Sequence, residues 1–546
     1  MRIVAGRSKI ATEFGIVAAS QPLAARAGVQ ILERGGHAVD AAIAANAVLG
    51  VVEPEMNGIG GDLFAIVYDA KTSALHGLNS GGWSPAALGR DFLVSRGFSS
   101  MPQDGIHSVT VPGAVAGWTA LHTRFGRVPM RDVLAPAIFY AERGFPVSDI
   151  IAERWDALTP KLAADADAAA TYLPDGRAPR AGEIFRNGAL AASLRRIADS
   201  GAAGFYEGAT ADAILAASRM HGGTMTAADL TEFDPEWVAP MSTTYRGWDV
   251  YELPPNTQGI AALMMLDIME QFPLGNYGLH TAKSLHVMIE AKKLAYADML
   301  RYVGDPRFGD HSVRAMLTKA HARERARLID PRKASEHAEP SAFAGLTTTH
   351  GGDTIYLSAI DRDGNIVSLI QSIYAGFGCG IVPKDTGFAL HNRGALFTLE
   401  PNHPNTIAPR KRPLHTIIPA FMQKDDVRIG FGIMGGWNQA QAHAQFVANI
   451  VDYGLDIQEA LEAGRFTKAT FDGADVEVEA LVPGSTIREL VALGHAVTVV
   501  APRSGNFGSG QAVMSDGKGV HYGASEPRHD GAAIPEAPDA FRAGKD

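Results

Sequence analysis

The amino-acid sequence predicts an α+β protein in which helices are layered on sheets. Apolar residues recur at helical spacing through much of the first half of the chain, and from Thr354 onward the texture changes to short strand-like runs broken by turn residues. A chain that is helix-rich on one side and strand-rich on the other buries its apolar faces as layers packed on sheets.

In chain order, a helical apolar face is readable through Ala18–Val52 and again through Leu263–Phe272 and Leu285–Tyr302. The stretch from Glu53 to Asp62, EPEMNGIGGD, reads as a glycine-rich turn into a strand, Leu63–Tyr68. Asp330–Thr349 is charged, alanine-rich and then polar, without a clear period, and reads as a flexible lead-in. Thr354–Asp361 and Ile366–Ser372 read as strands separated by RDGN, in which Asp-Gly is a strong hairpin signal. With Asp363-Gly364 as the turn, Thr354 falls opposite Ile373, flanked by Ser372 and Tyr374, so two hydroxyls meet at one strand end. Cys379, in GFGCGIVP, reads as a turn leading into a strand, and Val427–Met434 reads as a further strand. No repeat that would indicate a solenoid or propeller is visible.

With 546 residues, 46% of them apolar and 20% charged, the chain has an ordinary globular balance and can bury a substantial core. A formal charge of −10 and a pI near 6.0 give no basic field for phosphates, which argues against a nucleic-acid partner. The opening residues hold no apolar stretch of signal-peptide length. The most apolar segment, Ala41–Val52, is too short to span a bilayer and carries Asn46. The expectation is therefore a soluble, cytoplasmic protein with no membrane partner. The single cysteine excludes an internal disulfide, and the histidines lack ligand spacing, so no metal or cofactor is expected.

The chain has no phosphate loop, no G-x-S-x-G elbow, no H-E-x-x-H and no calcium loop. What remains is Thr354, in GGDT, between the lead-in and a strand. An N-terminal threonine carries its own α-amine, with a pKa of about 8 that suits a general base. Spacing alone leaves open whether Thr354 is such a nucleophile or a strand-opening residue chosen for β-propensity.

The ordered blocks QPLAARAGVQILERGGHAVDAAIAANAVLGVVEP, NGIGGD, VPGAVAGW, YRGWDVYELPPNTQG, EAKKLAYADMLRYVGDP, GDTIYLSAIDRDGN, GFGCGIV, KRPLHTIIP, MGG, DYGL and GASEPR resemble the γ-glutamyltransferases over nearly the whole chain. The resemblance implies a four-layer αββα sandwich of the N-terminal-nucleophile hydrolases, made as a precursor that cuts itself at Asp353–Thr354. Residues 1–353 and 354–546 would remain interlocked as large and small subunits of a heterodimer, and such heterodimers can pair further. It assigns Thr354 as nucleophile, Ser372 as the hydroxyl that assists it, and Gly435 and Gly436 as donors to the oxyanion. The glycine pair reads equally as a tight turn after the strand.

The substrate pocket departs from the family pattern. Gly81 stands where typical members carry the carboxylate-gripping arginine, and Leu396 where they carry an acid. Tyr374, Arg393, His415 and Thr416 occupy the remaining head-group positions. Arg393 reads either as a carboxylate clamp from the opposite wall or as a member of a structural ion pair. The expected activity is a self-processing threonine amidohydrolase or acyltransferase on a small carboxylate-bearing amide, γ-glutamyl or oxamate-like. The blocks LHNRGA and KRPLHTIIP suggest the branch that resembles oxamate amidohydrolase. Alternatives are a side-chain acylase of the glutaryl or cephalosporin type, which needs a roomier pocket, and an uncleaved, non-catalytic binding protein. The last would be expected to lose Thr354 or the glycine pair, and neither is lost.

Overall fold

The computed structural model describes residues 6–309, 313–341, 353–502 and 507–541. Two seven-stranded antiparallel sheets form its centre. The first runs, edge to edge, through Ile10–Thr12, His521–Ser525, Gly510–Ser515, Val427–Ile433, Ala420–Lys424, Trp248–Glu252 and Met241–Tyr245. The second runs through Ala532–Pro535, Ile16–Ala19, Asp353–Ile360, Ile366–Tyr374, Asp62–Asp69, Ala74–Ser80 and Glu236–Val238. Each sheet takes strands from both sides of the Asp353–Thr354 bond, so separating the two segments would strip both sheets.

The sheets face one another. Ser368 Oγ in the second sheet accepts from Ala420 N of the first at 3.1 Å, and the Tyr356 ring fills the space that a Cβ on Gly432 would need, 2.4 Å away. The helices Pro22–Leu32 and Ala38–Val52 pack on the outer face of the second sheet, and Gly259–Met269, Ala282–Tyr302 and Gln439–Val451 on that of the first. The result is the expected αββα sandwich.

Several sequence expectations are corrected. The single helical face through Ala18–Val52 is a strand, Ile16–Ala19, followed by two helices with the Gly35-Gly36 doublet between them. The first half holds more strands than the one expected at Leu63–Tyr68, and it supplies several to each sheet. After Cys379 there is no strand: Pro383 has no N–H to donate and turns the chain at Thr386, leaving Leu390 N to Ile381 O and Cys379 N to Leu390 O as the bonds that hold the loop. Of the lead-in, residues 342–349 lie outside the described residues. The part up to Ser341 is irregular but tied down: Lys293 Nζ donates to Ser335 O, Arg325 Nη2 to Glu339 O, and Ser341 N to Asp298 Oδ1.

The hairpin register also differs by one residue from the expected pairing. Asp361 Oδ1 accepts from the N–H groups of Asp363 and Asn365, and Asp361 N donates to Asn365 O, so residues 361–365 form a longer loop than a two-residue Asp-Gly turn. Ile355 then pairs with Gln371, and a bulge restores the expected register at Asp353 and Tyr374. Thr354 therefore faces both Ser372 and Ile373. The other carboxylate oxygen, Asp361 Oδ2, accepts from Ala38 N at the start of the helix Ala38–Val52, which locks that helix to the hairpin.

Candidate active site

Thr354 is buried, with 1% of its surface exposed, and its Oγ1 has no hydrogen-bond partner among the described residues. Directly across the bulge, Ser372 Oγ accepts from Tyr374 N at 2.7 Å. On its other side Ser372 pairs with Asp62, the residue that ends the glycine-rich turn. That turn needs its glycines for close approach: a Cβ on Gly61 would lie 2.4 Å from Ser372 O.

Gly435 and Gly436 follow the strand Val427–Ile433 with φ of 127° and 54°, a conformation that side chains resist. They lie just beyond Gly432, on which Tyr356 of the Thr354 strand packs. Gln258 Nε2 donates to Gly436 O at 2.8 Å and also to Thr416 O, and Tyr296 Oη donates to Trp437 O at 2.5 Å. These bonds fix the orientation of the loop's peptides, while the N–H groups of Gly435 and Gly436 find no acceptor among the described residues. Two unpaired N–H donors in successive peptides can stabilise a developing oxyanion.

Behind Ser372 sits a buried ionic cluster that the sequence reading only partly found. His415 Nε2 donates to Asp62 Oδ2 at 3.0 Å, His391 Nδ1 lies 3.2 Å from the same oxygen, and Gly82 N donates to Asp62 Oδ1. Burial alone would raise the Asp62 carboxyl, but the two imidazoles outweigh it and hold the group well below the ordinary carboxylate range. Burial, aided by Arg393, pushes His415 down to about 3, so its ring is neutral, with Nδ1 accepting from Ile417 N.

Arg393 donates through Nη1 to Thr416 Oγ1 at 2.7 Å, and its Nε is 3.7 Å from Asp62 Oδ2. Its Nε and Nη2 have no hydrogen-bond partner among the described residues. Burial lowers Arg393 only to about 10, against the pull of Asp62, so it is cationic at neutral pH. The Tyr374 ring covers the guanidinium, 4.6 Å from its centroid, on a backbone with φ of 76°.

Beside this cluster opens a cavity of about 680 Å³, within the usual range for small-molecule sites. Tyr374, Leu396, Phe397, Met101, Leu399 and Trp437 give it an apolar, partly aromatic wall, and Ser99, Gln103, Thr398 and Glu400 supply polar points. Of the predicted pocket residues, Tyr374 and the non-acidic Leu396 line this cavity. Arg393, His415 and Thr416 lie behind it, and Gly81 abuts the His415 ring, its absent Cβ 3.4 Å from Cδ2.

The sequence reading gave no role to Asp62, His391, Gln258, Glu252 or His443. Asp62, at the end of the NGIGGD turn, had the clearest signal, a carboxylate where a glycine-rich turn enters a strand. Among the described residues, His286, Glu290 and His495 come close enough together to suggest a metal site. Most of their ligand atoms are already engaged: His286 Nδ1 meets His495 Nε2 at 2.8 Å, His286 Nε2 meets Asp330 O, and Lys293 Nζ holds Glu290 at 2.7 Å. No described helix is long and apolar enough to cross a membrane.

A family model described as Gamma-glutamyltranspeptidase matches residues 24–536. The chain is 38% identical over 517 residues to the glutathione hydrolase-like YwrD proenzyme of Bacillus subtilis, covering 94% of this chain and 96% of that protein. It is 33% identical over 534 residues to the oxamate amidohydrolase proenzyme of Klebsiella pneumoniae, covering 95% and 98%. A solved structure of cephalosporin acylase from Bacillus halodurans superposes with a TM-score of 0.91 at 42% identity over 98% of each chain. With this architecture and these matches over nearly its whole length, the chain belongs to the gamma-glutamyltranspeptidase family, hydrolases and transferases that act on amide C–N bonds.

Proposed function

We propose that the protein is a self-processing threonine amidohydrolase whose acyl group carries a carboxylate. Thr354 Oγ1 attacks the Asp353 carbonyl, the acyl group shifts from nitrogen to oxygen, and water hydrolyses the ester. Residues 1–353 and 354–546 remain interlocked through the shared sheets. The freed α-amine then serves as general base while the same oxygen attacks a substrate amide, forming an acyl-enzyme that water or an amine resolves. Gly435 and Gly436 N–H groups receive the oxyanion, and Ser372 orients the nucleophile. Arg393 takes the carboxylate through its unpaired Nη2, with Tyr374 and Thr416 shaping the subsite and His415 holding Asp62 in place.

The observation that carries this reading is the buried Thr354 Oγ1, without a hydrogen-bond partner among the described residues, at a bulge facing Ser372. The test is the intact mass of purified wild-type protein beside Thr354→Ala under denaturing conditions. Two wild-type fragments summing to one chain plus water, the second beginning at Thr354, together with an uncut variant, support it. A wild-type chain that stays whole after prolonged incubation sinks it.

The cavity favours a second reading over oxamate-sized substrates. Its 680 Å³ and aromatic wall suit a bulkier side-chain amide of the glutaryl or cephalosporin type, as does the likeness to a cephalosporin acylase. Relative kcat/KM for γ-glutamyl, glutaryl and oxamate amides separates the two.

A further inference from the structure

The ladder between the strands Ala420–Lys424 and Val427–Ile433 ends at the Ala420–Phe431 pair. In the same register, one pair beyond Pro419 and Gly432, Ile418 and Ile433 would face each other. Their N–H groups are instead taken by side chains of the helix Gln439–Val451: Ile418 N donates to Gln439 Oε1 at 3.1 Å, and Ile433 N to His443 Nε2 at 2.9 Å. The two strands splay where the helix inserts. A His443 ring that accepts at Nε2 carries its proton on Nδ1, and Nδ1 donates to Glu252 Oε1 at 2.7 Å. Glu252 lies on the neighbouring strand, paired with Ala420. Glu252, His443 and Ile433 are all essentially inaccessible to solvent.

The residues just beyond Ile433 are Met434, Gly435 and Gly436. Met434 N donates to Ser509 O at 3.0 Å, and Gln258 holds Gly436 O. The direction in which the strand leaves the sheet is thus set at Ile433 N, one peptide before Met434. We propose that His443, braced by Glu252, is a positioning residue that aims the Gly435 and Gly436 N–H groups at the reacting carbonyl. The arrangement has the form of a carboxyl–imidazole pair, in which burial favours the uncharged form of Glu252, with a backbone N–H in the place where a nucleophile would stand. It orients donors and transfers no proton. This inference rests on the amidohydrolase reading given above.

The test compares processed wild type, His443→Phe, His443→Gln, Glu252→Leu and Glu252→Gln, using whichever of γ-glutamyl-4-nitroanilide and glutaryl-4-nitroanilide the wild type hydrolyses faster. Phe fills the ring's space but leaves Ile433 N unpaired, and Gln keeps an acceptor. Misaimed donors cost transition-state binding rather than substrate binding. The expected result for His443→Phe and Glu252→Leu is a kcat about 100-fold lower with KM within about threefold, and recovery to within about tenfold in the two Gln variants. Amide hydrogen exchange in a peptide spanning 430–438 should rise in His443→Phe while that of Ile16–Ala19 is unchanged. If the wild type hydrolyses neither anilide, this exchange comparison decides alone. Wild-type kcat with unchanged exchange in His443→Phe overturns the proposal, as does an exchange increase spread across both sheets. A wild-type chain that never cuts itself would instead mark failure of the amidohydrolase reading, and the exchange comparison can still be made on it.

Discussion

Ser372 and Asp62 are direct partners across the strands Ile366–Tyr374 and Asp62–Asp69. The pairing joins the residue set across the bulge from Thr354 to the carboxylate that holds His415 and lies against Arg393. Any change at Asp62 therefore acts at once on the site and on a buried charge.

Asp62→Asn keeps the shape but only one acceptor, which can serve Gly82 N or His415 Nε2 but not both, so it removes the charge and one hydrogen bond. The buried Arg393 cation would then lack its counter-charge, which costs about 3–5 kcal/mol for a broken buried pair. Urea denaturation should show that loss in Asp62→Asn, and the double variant Asp62→Asn/Arg393→Met should regain much of it. A double variant no more stable than the single one would mean that Asp62 does not serve as the counter-ion to Arg393.

Glu53 gives a pH dependence of defined sign. Burial raises its carboxyl from 4.5 to about 8, despite the hydrogen bond from Ser20 Oγ at 2.7 Å. The folded protein keeps this proton while the unfolded chain releases it, so the cost to stability is absent below pH 4.5, grows as pH rises, and levels off above about 8. Glu53→Gln has no proton to hold. Its stability relative to wild type should climb by an amount on the order of a few kcal/mol between pH 5 and pH 8.5, read from denaturation midpoints at fixed ionic strength. A flat difference would refute the raised carboxyl.

The layers and the helices Gly259–Met269 and Ala282–Tyr302 were legible because their apolar residues keep one period over long windows. The strand placements of Thr354 and Ser372 were legible for a related reason: both flank a strong turn signal. The exact register was not, because it depends on Asp361 choosing the backbone of Asp363 and Asn365 over a two-residue turn, and on a bulge that no local residue announces. The Asp62 cluster was hidden by distance, since Asp62 and His415 are brought together only by the closed sandwich. His443 looked like any other histidine until the splayed strand ends placed a backbone N–H against it.

Arg393 and Tyr374 together make a specificity prediction. The ring covers a cation with unpaired donors, so a carboxylate reaching Arg393 must displace Tyr374 from its strained backbone position. Arg393→Met should lower kcat/KM for glutaryl-4-nitroanilide by about 10- to 100-fold relative to butyryl-4-nitroanilide, the loss expected when a charge-assisted bond disappears. Tyr374→Ala should shift the same ratio upward. Ratios that stay at the wild-type value in both variants would remove Arg393 from the substrate site and leave it as a structural cation.

Asp361 links the register to the proposed cleavage site. Its carboxylate accepts from Asp363 N, Asn365 N and Asn365 Nδ2 within the hairpin and from Ala38 N at a helix start. Asp361→Ala frees these donors together and removes what disfavours the shorter Asp-Gly turn. A slip by one residue would turn the side chains of Thr354–Ile360 toward the opposite faces of the sheet, which the buried Ile355, Leu357 and Ala359 resist. The competition should therefore resolve as destabilisation rather than slippage, about 2–4 kcal/mol for several lost buried hydrogen bonds. Self-cleavage should slow, because the bulge that sets Thr354 against Ser372 is held at the far end of the same two strands. Denaturation midpoints and a time course of fragment appearance after refolding check both. Asp361→Asn, which keeps one acceptor, should fall between wild type and Asp361→Ala in each. Cleavage at the wild-type rate in a destabilised Asp361→Ala would show that the bulge is set locally by Ser372 and Tyr374, independent of the turn.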